Sequence, residues 1–278
     1  MSRTTTSSRP RSTHPTGPGA GPFGPADSSP AVHPDTIPQY ALSSILAIWA
    51  AAALPMAALS WVAAPMLSRA LGGDAPLVSA LLVCMTAGLF WQFILVLLLV
   101  HRERGTLRWS VVRDALWLRA PSSPRSGRSG GRLWFVLVPF IVLFAAEQFL
   151  PSPPIPGGRD FSVFLASATG HDFFHGSWGW LAVVAAMGLF NTVLGEELLF
   201  RGFLLPRMQG RFGRADWLVN GILFAVYHLH TPWVIPATLI DTVALALPTK
   251  RYRSAWMGVA IHSTQTVFIT LTVLAVVA

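Results

Sequence analysis

Charge is scarce in this chain. Only 12% of its 278 residues are Asp, Glu, Lys or Arg, about half of the roughly 25% typical of soluble domains. Hydrophobic residues make up 53%, and mean hydropathy is +0.53. A water-soluble domain of this composition would expose more apolar surface than water tolerates. An ordinary soluble enzyme is therefore excluded, and an integral membrane protein is implied. Cysteine is nearly absent. The single one, Cys84, lies in an apolar run, cannot form an intrachain disulfide and reads as a small buried hydrophobe. No metal site can rest on cysteine. Lysine is as rare: Lys250 stands alone among 20 basic residues, the rest being arginine. The net charge of +8 would suit nucleic acid. The arginines instead fall between apolar runs, and no basic strip interleaved with aromatics occurs, so nucleic acid is not an expected partner.

Residues 1–38 are rich in Pro, Gly, Ser and Thr. Such a segment buries too little apolar area to offset its ordering entropy and is expected to be disordered. Arg3, Arg9 and Arg11 are not closely followed by an apolar stretch and no cleavage pattern appears, so the segment does not read as a signal peptide. From residue 39 the apolar runs begin. Residues 41–66 and 77–100 carry no charge, and each exceeds the ~20 residues that span a bilayer. Residues 133–150 hold Glu147 near one end. Residues 178–205 are apolar except for Asn191, Glu196, Glu197 and Arg201. Two shorter runs, 217–230 and 234–247, read as spans extended by their flanks or as a broken pair. Residues 255–277 form the last run.

Loop charges orient these runs. The loop 101–132 holds eight arginines, which marks it cytoplasmic. Two runs precede it, so the N-terminus is cytoplasmic too. Arg207, Arg211 and Arg214, and then Lys250, Arg251 and Arg253, fall on the same side, and the Pro-rich loop 151–177 with its one Arg falls opposite. The pattern predicts an all-α polytopic transmembrane bundle of about seven spans, or eight with a different division of 217–250.

Ionisable groups inside a span are costly, a few kcal/mol each. Glu196 and Glu197 are adjacent in such a run. Glu197 and Arg201 are four apart and share a helix face, acid N-terminal to base. Glu196 lies about 100° around the helix and lacks that partner. A carboxylate held near Arg but not neutralised by it can act on water. A buried ion-pair network that only fixes packing fits the same residues. Phe224 and His228 are again four apart. His230 precedes Thr231-Pro232, a helix-ending signal, and reads as a loop or rim residue. His262 lies near the start of the last run, with Gln265 and Thr266 a turn further on. A lone histidine in an apolar helix is commonly a core residue. Measured from the basic ends of their runs, however, Glu196, His228 and His262 lie ~14, ~17 and ~11 Å deep. Three runs thus bring an ionisable group to one level. No His-Glu-x-x-His helix is present. The acids with His228 and His262 could form a His/Glu metal set, but the spacing does not demand it, and no metal or other cofactor is expected.

The order Glu196-Glu197-x-x-x-Arg201, Phe224-x-x-x-His228 and His262 resembles the CPBP family, which comprises CAAX prenyl endopeptidase-like intramembrane proteases and Abi proteins. The continuation Arg201-Gly202-x-Leu204 is similar too, and the likeness covers about residues 180–275. It implies an intramembrane endopeptidase with a catalytic core over about 178–277. Glu196, with His228, would activate water. His262, helped by Thr266 or Gln265, would hold the oxyanion. Glu197, Arg201 and Phe224 would support them. The family's last motif ends in Asn or Asp where this chain has Thr266, which fits a second reading: a catalytically inactive immunity- or scaffold-type relative. A third reading, a proton-coupled transporter, would use Glu147, Asp241 and the Glu pair, but no half-to-half repeat is found. Prenylated C-terminal Cys motifs are substrates of eukaryotic members. The preference for Arg over Lys suggests a high-GC bacterium, hence an inner-membrane protein acting on a membrane-embedded or membrane-adjacent peptide. Arg201 and Arg207 close the run just past the glutamates, which predicts access from the cytoplasm.

Overall fold

Proline and glycine cut the apolar sequence into helices. The computed structural model describes residues 37–151 and 153–278. The tail expected to be disordered thus lies, but for its last two residues, outside the described residues. Five helices are long and apolar enough to cross a membrane: α1 Leu42–Ala70, α2 Pro76–Arg104, α3 Gly131–Phe149, α4 Trp178–Arg207 and, last in the chain, the helix Ala255–Val277. Pro76 sits at the start of α2, where its missing N–H costs nothing. Gly105 ends it in the left-handed region at φ 70°. His101, Arg102 and Arg104 occupy its last turn, opposite the negative end of the helix dipole.

Between α4 and the last helix lie α5, Asp216–Tyr227, and a pair bent by 54°, α6 Pro232–Thr238 and α7 Thr242–Tyr252. The last helix, Ala255–Val277, is α8. Counting the bent pair as one span gives six membrane helices among the described residues, against the seven expected. The shortfall is one of length. Twelve residues of α5 rise about 18 Å, well short of the ~30 Å of a bilayer core. Both ends of the α5–α7 unit return to one rim, where Asp216 pairs with Lys250. The same rim gathers the arginine-rich loop and the start of α1. There Ser122 N–H donates to Tyr252 O at 2.9 Å, Ala255 N–H to Trp117 O at 2.9 Å, and Tyr40 N–H to Arg207 O at 2.9 Å. At the opposite rim Gly176 N–H donates to Val277 O at 3.0 Å.

A helix that stops inside an apolar bundle must satisfy its last carbonyls. Side chains of α1 reach the last turns of α5 and the 3-10 turn that follows it. Trp49 Nε1 donates to Leu223 O at 2.8 Å, Trp61 Nε1 to Leu229 O at 2.8 Å, and Ser60 Oγ to His230 O at 2.9 Å. Gly221 permits the return strut to pack closely, since a Cβ there would collide with Thr242 of α7. The α5–α7 unit is thereby a helical hairpin whose apex lies inside the bundle.

Candidate active site

Helix α4 widens twice into π-helix, over Phe190–Gly195 and over Leu198–Leu204, and Glu196 and Glu197 lie between the two stretches. Such bulges concentrate at functional sites because they re-aim side chains. Here they accompany a division of roles. Glu197 is fully buried and turns to Arg201, whose Nη1 lies 3.3 Å from Glu197 Oε1. His262 of α8 reaches the same oxygen, Nδ1 to Oε1, at 3.1 Å. Gly258, one turn earlier on α8, leaves room for the carboxylate, because a Cβ there would collide with Glu197 Oε2. The Arg201 guanidinium lies 3.8 Å from the centre of the Phe224 ring. Carboxylate on one side and ring face on the other offset its buried charge.

Glu196, 2% exposed, faces a different environment. The Asn191 amide lies against both of its oxygens, at 3.0 and 3.2 Å, and donates to them with its nitrogen turned to the carboxylate, the orientation that satisfies both groups. The Tyr227 hydroxyl faces the same carboxylate. Tyr227 accepts from Gln92 Nε2, which leaves its own proton free to donate to Glu196. His228 sits at the end of α5, with Nδ1 3.0 Å from Phe224 O. A carbonyl only accepts, so Nδ1 carries the proton and Nε2 keeps its lone pair. By the same logic His262 donates from Nδ1 to Glu197 and has Nε2 on its other edge. Phe224 spaces the two imidazoles, its ring centre 5.0 Å from that of His228 and 6.1 Å from that of His262.

Glu196, His228, His262 and Gln265 line one cavity of about 220 Å³. Water occupies about 30 Å³ in the liquid, so the cavity has room for several molecules. Glu147, Asp241 and His230 complete its acidic and imidazole wall. His230, read from sequence as a loop or rim residue, lies in the turn after α5 but is buried. Thr266 is placed elsewhere: its hydroxyl donates to Thr192 Oγ1 at 3.3 Å, and it lines an adjoining cavity with Gln265. Among the described residues no three His, Cys, Asp or Glu side chains cluster as metal ligands. Sequence reasoning passed over Tyr227 and Gln92, and noted Asn191 only as a polar residue in a span. Tyr227 carries one usable signal, its position next to His228. Gln92, on α2, carries none, since only tertiary packing brings it to Tyr227.

The fold and site together define a class: an integral membrane helical protein with a carboxylate and two imidazoles around an internal polar cavity. Residues 177–268, about a third of the chain, match the family described as Type II CAAX prenyl endopeptidase Rce1-like. The segment that builds the cavity from α4, α5 and α8 is thus similar to a protease family, in keeping with the resemblance carried by the three motifs. No curated protein and no solved structure matches the chain.

Proposed function

We propose that the protein is an intramembrane endopeptidase that hydrolyses a peptide bond of a membrane-embedded or membrane-adjacent substrate. The observation that carries this reading is the meeting of Glu196, His228 and His262 on one cavity inside the bundle. Glu196 takes a proton from a water as the water oxygen attacks the peptide carbonyl. Asn191 and Tyr227 hold the carboxylate in place, and the His228 Nε2 lone pair accepts the second hydrogen of that water. In its doubly protonated form His262 donates through Nε2 to the developing oxyanion while Nδ1–H stays on Glu197. Gln265 stands on the same wall as a second donor. The C–N bond breaks as Glu196 returns its proton to the leaving nitrogen. Neither cofactor nor metal enters these steps. Glu197 and Arg201 act on the reaction through His262 and are positioning residues.

In this reading the basic rim faces the cytoplasm of a bacterial cell, which puts the N-terminus inside. Five helices cross the inner membrane, and α5–α7 is a re-entrant hairpin that enters from the cytoplasmic side and returns to it. The hairpin leaves every basic loop inside without a sixth or seventh crossing. The test is a comparison of membrane peptides from cells carrying the wild type and Glu196→Gln. The reading expects peptides that end at a shared cleavage position in the wild type and are missing from the variant. An identical set of peptides from both strains contradicts it.

A further inference from the structure

The catalytic cavity does not end at its own walls. It shares Asn191, His230, Thr231 and Gln265 with a second cavity of about 180 Å³. The second is lined by apolar side chains, among them Met56, Leu89 and Val184. It in turn shares Met85, Met187 and Thr231 with a third, of about 220 Å³. The third is bounded by Ser60, Val78, Leu82 and Trp233, and by Gly158 and Arg159 from the loop at the rim opposite the basic one. Thr231, at the hairpin apex, borders all three. Arg159 is fixed at the outer end of this series. It donates to Ser60 Oγ at 3.0 Å and to Ser60 O at 3.1 Å, and its guanidinium lies 4.2 Å from the Trp61 ring centre.

The other direction is filled. Between Glu196 and the basic rim stand Leu199, Phe200, Phe203 and Leu204, all fully buried. Arg207 closes this layer with two hydrogen bonds to Glu103, at 2.7 and 2.8 Å, and two to the Ala115 and Phe203 carbonyls. A cavity of about 590 Å³ lies at the basic rim among Arg214, Trp217, Leu247 and Arg251, but it shares no lining residue with the catalytic cavity, and the close-packed layer of buried side chains stands between Glu196 and that rim.

We infer that the substrate reaches Glu196 from the side opposite the basic rim, past Arg159, Trp233 and Thr231, as an extended peptide with a large apolar side chain seated between Met85 and Met187. This reverses the direction of access expected from the sequence. The wall chemistry fits that occupant. Thr231, Asn191 and Gln265, shared by the first two cavities, offer hydrogen-bonding groups on the path, as an extended main chain needs. The methionines offer flexible apolar surface that adapts to different side chains. The occupant rests on the endopeptidase reading, whereas the path rests on geometry alone.

The test uses the full chain in sealed membrane vesicles of both orientations. Cys84→Ala removes the native thiol, and the probe is a small membrane-impermeant methanethiosulfonate. Ser126→Cys, in the exposed arginine-rich loop, reports the basic face. Thr231→Cys is expected to react only in vesicles that shield Ser126→Cys. Reaction from the Ser126 face, or from neither, overturns the path. A second arm fills the middle cavity with Met187→Trp. Cleavage of a reporter peptide with Leu or Phe in that position is expected to fall at least about tenfold relative to one with Ala. An equal effect on both peptides overturns the assigned side chain. Thiol reaction from the expected face with no cleavage of any peptide retains the path and refutes the endopeptidase reading instead.

Discussion

On one side of Glu196, toward the basic rim, the neighbouring layer of the bundle is buried and its buried charges are paired, and the cavity at the rim itself, lined by Arg214, Lys250 and Arg251, shares no lining residue with the one that holds Glu196. On the other side the bundle holds three adjoining cavities. The filled half carries Arg207 with Glu103 and Arg201 with Glu197, every one of them buried or nearly so. The hollow half carries Glu196, His228 and His230 on open cavity walls. Two carboxylates one residue apart in α4 thus belong to opposite halves. A buried charge in a membrane bundle therefore has two stable settings. It is either matched by a fixed counter-charge, and then holds structure, or faces an enclosed polar space, and is then available for chemistry.

The filled half depends most on the pair at its base. Glu103→Ala leaves Arg207 buried without its carboxylate, and loss of one partner of a buried pair costs about 3–5 kcal/mol. Thermal unfolding of the purified protein in detergent should show a large drop in Tm, and an unchanged Tm would mean the filled half is not held by its charges. His262 joins the two halves, with Nδ1 on Glu197 and its other edge toward the cavity. His262→Ala should lower kcat about 10²–10³-fold, or about 3–4 kcal/mol, the cost of one oxyanion donor. A kcat within threefold of wild type would remove His262 from the transition state. Gly258→Ala drives a methyl group into Glu197, and overpacking of this kind costs about 1–3 kcal/mol. It should lower Tm with little effect on substrates bound in the hollow half, as a KM comparison would reveal. Thr266 faces Thr192 rather than the cavity that holds Glu196. Thr266→Ala should therefore change kcat by less than about threefold. A loss like that of His262→Ala would return its hydroxyl to the oxyanion.

Much of this contrast is legible along the sequence. The uncharged runs predict α1 and α2. The four-residue spacing of Glu197 and Arg201 predicts their pairing, because neighbours on one helix face are fixed by helical geometry alone. The depths of Glu196, His228 and His262 predict three side chains at one level. What is not legible depends on contacts between helices. Residues 217–230 look like a span because hydropathy counts apolar residues without showing where a helix ends. The carbonyls of Leu223, Leu229 and His230 are satisfied by Trp49, Trp61 and Ser60, far away in the chain. Thr266 occupies the position of a motif residue yet turns to Thr192, a partner that spacing within α8 does not reveal. Glu147 and Asp241 look like stray acids in apolar runs, and only the fold brings both to the wall that holds Glu196.

The most direct measurement sets Glu196→Gln beside Glu197→Gln, each purified, reconstituted in liposomes and assayed on a membrane-anchored reporter peptide, with thermal unfolding recorded in parallel. The expected result is a Glu196→Gln protein as stable as wild type with cleavage reduced at least about 10²-fold, and a Glu197→Gln protein that unfolds at markedly lower temperature. A Glu196→Gln protein that cleaves at the wild-type rate would contradict Glu196 as the catalytic base.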